Sequence, residues 1–239
     1  MGADRVPIPS LLATAAVHHH LVREGTRLRT GLVIESGEPR GVHDMAVLIG
    51  YGAAAINPYL MFESIDELSD RSLLPVDLGR DEAEQRIVKA IGKGLLKTMS
   101  KMGISTISSY CGAQIFEAVG LEEDLVEAHF TGTASRIGGI GLDVLAEEAL
   151  ERHFRAWPSS DRDQLPVGGF LQWRREGEHH VWNPESIAKL QHSVRAEGDE
   201  GHATYREWAA HVNGEASRKA LLRGLLRLRS TGETVPLDE

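Results

Sequence analysis

Two short runs of continuous apolar residues, Leu32 to Ile34 and Ala53 to Ile56, flank a segment in which Val42, Met45, Ala46 and Ile49 recur at i, i+3, i+4 and i+7. Unbroken apolar character over three or four residues suits a strand buried on both faces, and the spacing between the runs draws an apolar stripe down one side of a helix. A strand, a helix and a strand this close together make a parallel crossover unit, which commits the chain to an α/β fold. Ser10 is expected to cap a preceding helix carrying Leu11, Leu12, Ala15, Ala16 and Val22, with Gly25 ending it in a left-handed conformation. Asn57 and Pro58 close the unit, and Phe62, Ile65 and Leu68 mark one further short helix.

Ser, Pro and Gly stand among charges between about Asp70 and Asp81, and a domain boundary is expected there, dividing the chain into 1–75 and 76–239. A long helix from about Glu84 to Ser100, with Ile87, Ile91, Leu95 and Met99 on one face, feeds a short expected strand at Ile104 to Ile107. Helices are expected after Gly112, Glu122 and Leu142, with glycine-rich joints between them. A polar stretch follows from about Ser159 to Trp182, long for a structureless loop unless it is functional. Asn183, Pro184 and Glu185 then read as cap, proline and acid at a helix start leading into Ile187, Leu190 and Val194. Two more helices are expected around Trp208 and from Leu221 to Leu228.

The chain of 239 residues is 41% apolar and carries a formal net charge of −9. That balance argues against a nucleic-acid or anionic-membrane surface, since phosphate backbones are bound by clustered Lys and Arg. The longest apolar stretches, such as Leu11 to Val17, fall far short of the roughly 20 residues that span a bilayer. No signal-peptide pattern opens the chain, and a cytoplasmic protein is expected. One cysteine, Cys111, cannot form an intrachain disulfide or supply an iron–sulfur cluster.

Just past the expected strand at Ile104, small and polar residues replace core residues: Ser108, Ser109 and Tyr110 offer hydroxyls, and Gly112 and Ala113 leave room for a ligand near the backbone. In α/β folds ligands sit at the carboxyl ends of strands. Cys111 has two readings, a thiolate nucleophile stabilised by a helix opening at Gly112 or a space-filling residue beside the ligand. Thr131 to Arg136 followed by Gly138, Gly139 and Gly141 read either as an anion cradle, with Arg136 as a forked donor, or as flexible joints between helices. His18, His19 and His20 fan around a helix at about 100° per residue, so a packed or solvated cluster competes with metal binding, and no metal site is assigned. The run Trp173 to His180 reads as a solvated charge cluster or as a substrate or flavin contact.

Several long blocks resemble the large subunit of glutamate synthases in that family's order. DRVPIPS, GLVIESGEPR and LIGYGAAAINPYL resemble the end of the family's central domain. MSKMGIST, SYCGAQIFEAVG, FTGTASRIGGIGLD, WRREGE and NPESIAKLQHSVR resemble the start of its FMN-binding (β/α)8 barrel. The resemblance implies an α/β chain holding the end of one domain and an incomplete first part of the barrel. It implies an oxidoreductase that forms L-glutamate from 2-oxoglutarate and glutamine-derived ammonia, with FMN and an iron–sulfur cluster as cofactors. Electrons would come from the small glutamate synthase subunit with NADPH, or from ferredoxin. It places Ser108, Ser109, Gly112, Ala113, Gln114 and Arg136 near the flavin, and Arg174 and Glu176 near the substrate.

Asp44 stands where the family commonly has a second histidine, and Gly41 and Val42 where it has bulkier or charged residues. The amino-terminal glutaminase cysteine, three cluster cysteines and the later barrel strands have no counterpart in this chain. An internal fragment, inactive in isolation and without catalytic residues of its own, is therefore expected. The alternatives are a non-catalytic remnant or a structural half that assembles with a separately encoded carboxyl half.

Overall fold

The crossover is present in the computed structural model, which describes residues 2–158 and 166–226. Strand β1 (Leu32–Glu35) pairs in parallel with β2 (Ala53–Asn57), and helix α2 (Val42–Gly50) connects them. Helix α1 (Ser10–Arg23) packs against β1 and α2 against β2. Burial of both strands on two faces does not hold: Val33 is 70% exposed, and Ala54 and Ala55 are exposed. Two strands do not stabilise themselves in water, so the sheet is held by helices on its covered face.

The local chemistry of these elements is explicit. Helix α1 begins at Ser10 itself with Pro9 in the cap position, so Ser10 is not the cap. Its backbone N–H instead donates to the Glu38 carboxylate at 2.6 Å. Gly25 takes φ 68° just past the helix, the left-handed conformation expected of it. Asp44, the departure from the family pattern, stands at the third position of α2 and accepts the N–H groups of Arg40 and Gly41 at 2.9 Å each, tying the entering chain to the first turn. Val42, another departure, occupies the space beside Gly94 that any Cβ there would need.

Helix α3 (Tyr59–Asp70) leads through a turn into α4 (Arg80–Lys101), which starts four residues before Glu84. Arg80 ties the two helices together through Asp66 at 2.9 Å and Asp70 at 3.1 Å. One core gathers Ala46, Met99 and Tyr110, with Leu95, Ile104 and Phe116 around them. The other gathers Ala15, Leu125, Val126 and Phe130. Each large side chain fully buried in such a cluster contributes about 1.5–3 kcal/mol, so packing, not strand pairing, carries the fold.

From Ile104 onward the expected elements need correction. Ile104 to Ile107 is not a strand: Ile104 to Thr106 is irregular, and Ile107–Tyr110 is a one-turn helix, α5. The Thr106 hydroxyl accepts the Ser109 N–H at 3.4 Å, a local bond that competes with strand pairing. No helix opens at Gly112. Gly112 (φ 73°) and Gln114 (φ 54°) both have left-handed backbones that a helix excludes, and the chain continues into strand β3 (Glu117–Leu121). After α6 (Glu123–His129), residues 134–140 form strand β4 (Ala134–Ile140), parallel to β3, where glycine-rich joints or an anion cradle were expected. The register shifts twice along this pair, and Gly139 leaves no room for a Cβ against the Gly120 carbonyl. The glycines therefore serve close backbone approach. Helix α7 (Leu142–Ala156) follows as expected.

The described residues thus form a mixed α/β structure with two small parallel sheets, and among them there is no closed barrel. The chain divides into two compact units, Met1–Ser159 and Ser160–Glu239. In the second unit, α8 (Pro184–Arg195) starts as its sequence predicts: the Asn183 side chain accepts the Ser186 N–H at 3.0 Å, and the buried Ser186 hydroxyl accepts the Asn183 N–H at 2.9 Å. Helix α9 (Gly198–Asn213) packs against α8. The helix expected from Leu221 to Leu228 is replaced by α10 (Glu215–Ala220) and a 3-10 turn at Leu222–Leu225; Arg227 and Leu228 lie outside the described residues. Among the described residues no helix is long and apolar enough to cross a membrane.

Candidate functional site

The loop from Cys111 to Phe116 closes over the carboxyl end of α2. The Gly112 N–H donates to the Gly50 carbonyl at 2.8 Å, and Phe116 fills the space a Cβ at Gly50 would take. Tyr51, the next residue, stacks on Phe116 at 5.8 Å between centroids and meets Phe130 edge-on at 5.3 Å. Its hydroxyl is hydrogen-bonded to the Thr133 hydroxyl at 2.5 Å. The Gln114 side chain lies against Gly132, whose φ of 82° and crowded Cα leave only glycine at ease. A non-glycine residue in the left-handed region costs about 1–3 kcal/mol and tends to cluster at ligand sites.

These groups wall a cavity of 230 Å³, completed by His18, His19 and Val22 of α1 and by Thr131. Arg27 braces the α1 side. Its Nε donates to His18 Nδ1 at 2.9 Å, and its terminal nitrogens donate to the Gly52 carbonyl at 2.8 Å and the Thr30 carbonyl at 2.6 Å. The first of these bonds requires an unprotonated His18 Nδ1, so His18 is neutral with its other nitrogen free to donate. Burial, then the Arg27 guanidinium and His19, push His18 below the usual imidazole value; burial, Arg23 and His129 do the same for His19. Among the described residues no group of three or more His, Cys, Asp or Glu side chains is arranged to hold a metal ion.

The expected site residues divide among several places. Gly112 and Gln114 line the cavity, and Ala113 sits half-buried between them with its N–H donating to the Tyr110 carbonyl at 3.2 Å. Ser108 and Ser109 are exposed on α5 outside the cavity wall, with Ser109 Oγ accepting from the Thr106 hydroxyl at 2.8 Å. Cys111 is exposed, and desolvation of its thiol raises its pKa; the helix that would have favoured a thiolate is absent. Arg136 projects from β4 with 83% of its side chain exposed, 3.5 Å from the Glu117 carboxylate. It borders a separate depression shared with Glu123 and Glu127, whose charges oppose an anion.

Arg174 and Glu176 are exposed in the second unit, in a turn closed by the Gly177 N–H to the Arg174 carbonyl at 3.1 Å. The long polar stretch before α8 is a loop folded on itself over its described part. The Glu178 N–H donates to the Gly168 carbonyl at 2.8 Å, and His180 Nε2 bonds the Gly169 carbonyl at 2.6 Å. Tyr51 and Arg27 were not legible as site residues. The only signal for Tyr51 was its place in LIGYGAAAINPYL, between a helix end and a left-handed glycine.

The glutamate synthase central domain family matches residues 1–122, half of the chain. The chain belongs to the glutamate synthase family. It is 43% identical over its whole length to the large chain of an NADPH glutamate synthase of Bacillus subtilis, of which it spans 15%. It is 41% identical to an NADH glutamate synthase of Saccharomyces cerevisiae, spanning 12% of that protein. Over 95% of its length it is 40% identical to a chloroplastic ferredoxin-dependent glutamate synthase of Spinacia oleracea, spanning 14%. The chain therefore corresponds to a small part of the relatives it matches.

Proposed function

We propose that this chain works as a segment of a glutamate synthase, an FMN and iron–sulfur oxidoreductase that forms L-glutamate from 2-oxoglutarate and glutamine-derived ammonia in the cytoplasm. The observation that carries this reading is similarity over 95–100% of the chain to glutamate synthases named for NADPH, NADH or ferredoxin. In it, Ser108, Ser109, Gly112, Ala113 and Gln114 form one edge of the flavin environment. Arg136, Arg174 and Glu176 are polar contacts whose remaining partners come from sequence beyond this chain.

In this reading both cofactor sites need residues from the rest of the enzyme. The chain's single cysteine cannot hold an iron–sulfur cluster, and the 230 Å³ cavity is below the roughly 300–1,000 Å³ of pockets for larger ligands. The division into a central-domain part, 1–75, and the start of an FMN-binding (β/α)8 barrel, 76–239, belongs to the same proposal. Limited proteolysis cutting first within 70–81 supports that division, and first cuts near residue 160 that leave 2–158 intact overturn it.

The functional test is a segment exchange. A Bacillus subtilis large chain carrying this sequence in place of its own matching segment is expected to retain flavin and glutamate formation. Gly112→Val in that hybrid should lower its flavin content. A folded hybrid with full flavin and activity despite Gly112→Val removes the loop from the flavin environment. A second reading, a structural piece that assembles with the remaining polypeptide of such an enzyme, is favoured by an apolar groove of 590 Å³ between α1 and α7. Val6, Ile8, Leu12, Val17, Leu142 and Leu145 are among the residues that line it. Under that reading the hybrid folds and the Gly112 variant is silent.

A further inference from the structure

We infer that the cavity between α1 and the loop from Cys111 to Phe116 is a binding site for a small oxyanion, of the carboxylate or phosphate type. Its polar lining consists of imidazoles, hydroxyls and one amide: His18, His19, Tyr51, Thr131, Thr133 and Gln114. No Asp or Glu lines it, although acids outnumber bases in this chain by 35 to 26. Two guanidiniums flank it, Arg27 bonded to His18 and Arg23 bonded to the Ala128 carbonyl at 3.2 Å. Neither is ion-paired among the described residues.

The Thr131 hydroxyl donates to the Glu127 carbonyl at 2.7 Å and the Tyr51 and Thr133 hydroxyls bond each other, so the donors left are His18 Nε2, the Gln114 amide and one hydroxyl of that pair. With positive charge beside them and no carboxylate in the lining, this is the electrostatic form of an anion site. The size fits as well, since 230 Å³ takes a ligand of a few heavy atoms. Neutral His18, whose Nδ1 accepts from Arg27, offers a donor from Nε2. The groups that face the imidazoles are Arg27 and the neighbouring imidazole for His18, and Arg23 and His129 for His19. All of these are donors or cations that oppose protonation of the two imidazoles, so His18 acts through its neutral Nε2–H and binding is expected already at pH 7.5. The cavity shares Gly112 and Gln114 with the flavin reading, but the test is made on this chain alone and reads no activity, so failure of one leaves the other standing.

The test is titration of the full chain with inorganic phosphate and, separately, with acetate at constant ionic strength, followed through the imidazole NMR signals of His18 and His19. Saturable shifts are expected at those two residues with at least one probe. The better of the two probes assigns the oxyanion type. Arg27→Gln should weaken binding by about tenfold or more, the size of one charge-assisted hydrogen bond, and Arg86→Gln on exposed α4 should not. Because Arg27 also braces Gly52, Arg23→Gln and Thr133→Ala, which leave that brace intact, serve as second variants expected to weaken binding, with an unchanged amide NMR spectrum away from the cavity showing that each is folded. Shifts that grow linearly, that sodium chloride reproduces, or that survive Arg23→Gln and Thr133→Ala unchanged overturn the inference.

Discussion

Gly132 shows how a single residue fixes the cavity wall. Its φ of 82° is unfavourable for any side chain, and a Cβ there would meet the Gln114 amide. Gly132→Ala should cost about 1–3 kcal/mol from strain and overpacking, lowering Tm by several degrees. Gly103 has φ 71° and open space around it, so Gly103→Ala bears the backbone penalty alone and should cost less. Equal losses in thermal melts would show that the Gln114 contact contributes nothing. The imidazoles give a second handle at this scale. His18 and His19 titrate below their ordinary value in the folded chain, with burial as the main cause. The unfolded chain, with histidines near about 6.5, therefore binds more protons in that range. The stability linked to these groups is full above the unfolded value and is lost as pH falls through it toward the lower folded value. Melts between pH 7.5 and 5.5 should fall more steeply for this chain than for the His18→Gln, His19→Gln double variant. Parallel curves would contradict this.

Among the elements, α8 is the one whose start was most fully written in the sequence. Asn183→Ala removes the acceptor of the Ser186 N–H and should cost about 1 kcal/mol. Faster amide hydrogen exchange in the first turn of α8 is the expected reading, and unchanged protection at Ser186 would remove the cap from the account. The crossover from Leu32 to Asn57 was equally legible, because its periodicity and its punctuation by Asn57 and Pro58 act locally. The stretch from Ile104 to Ile140 was not. At Thr106 a hydroxyl chose a helical turn over a strand, and at Gln114 a left-handed backbone appears where no glycine announces it. Strand β4 is assembled from Ser, Arg and Gly around Ile137; its identity comes from pairing with β3 and not from its own propensity. For the candidate site the same division holds. The sequence pointed to Gly112 and Gln114, which line the cavity, whereas Tyr51, Arg27 and the α1 histidines join it only through tertiary contacts.

At the scale of the whole molecule, the question is whether this chain can do redox chemistry unaided. It spans 15% of the Bacillus subtilis large chain. It has one cysteine, so electrons cannot enter through a cluster of its own. Its described strands make two separate two-stranded sheets, with pairing edges left open and no barrel mouth to seat a flavin. The guanidinium expected to meet a phosphate, Arg136, faces Glu117 with Glu123 and Glu127 nearby. Even if the loop at Gly112 touches flavin in a longer enzyme, loss of the Arg136 phosphate contact, about 1.5–3 kcal/mol, would raise the dissociation constant by about one to two powers of ten. The purified chain should therefore be colourless and make no glutamate from 2-oxoglutarate with glutamine or ammonia, and at micromolar concentration it should leave FMN fluorescence unchanged. A yellow preparation with one FMN per chain would mean that these residues complete a flavin site by themselves, and the segment reading would fall with it.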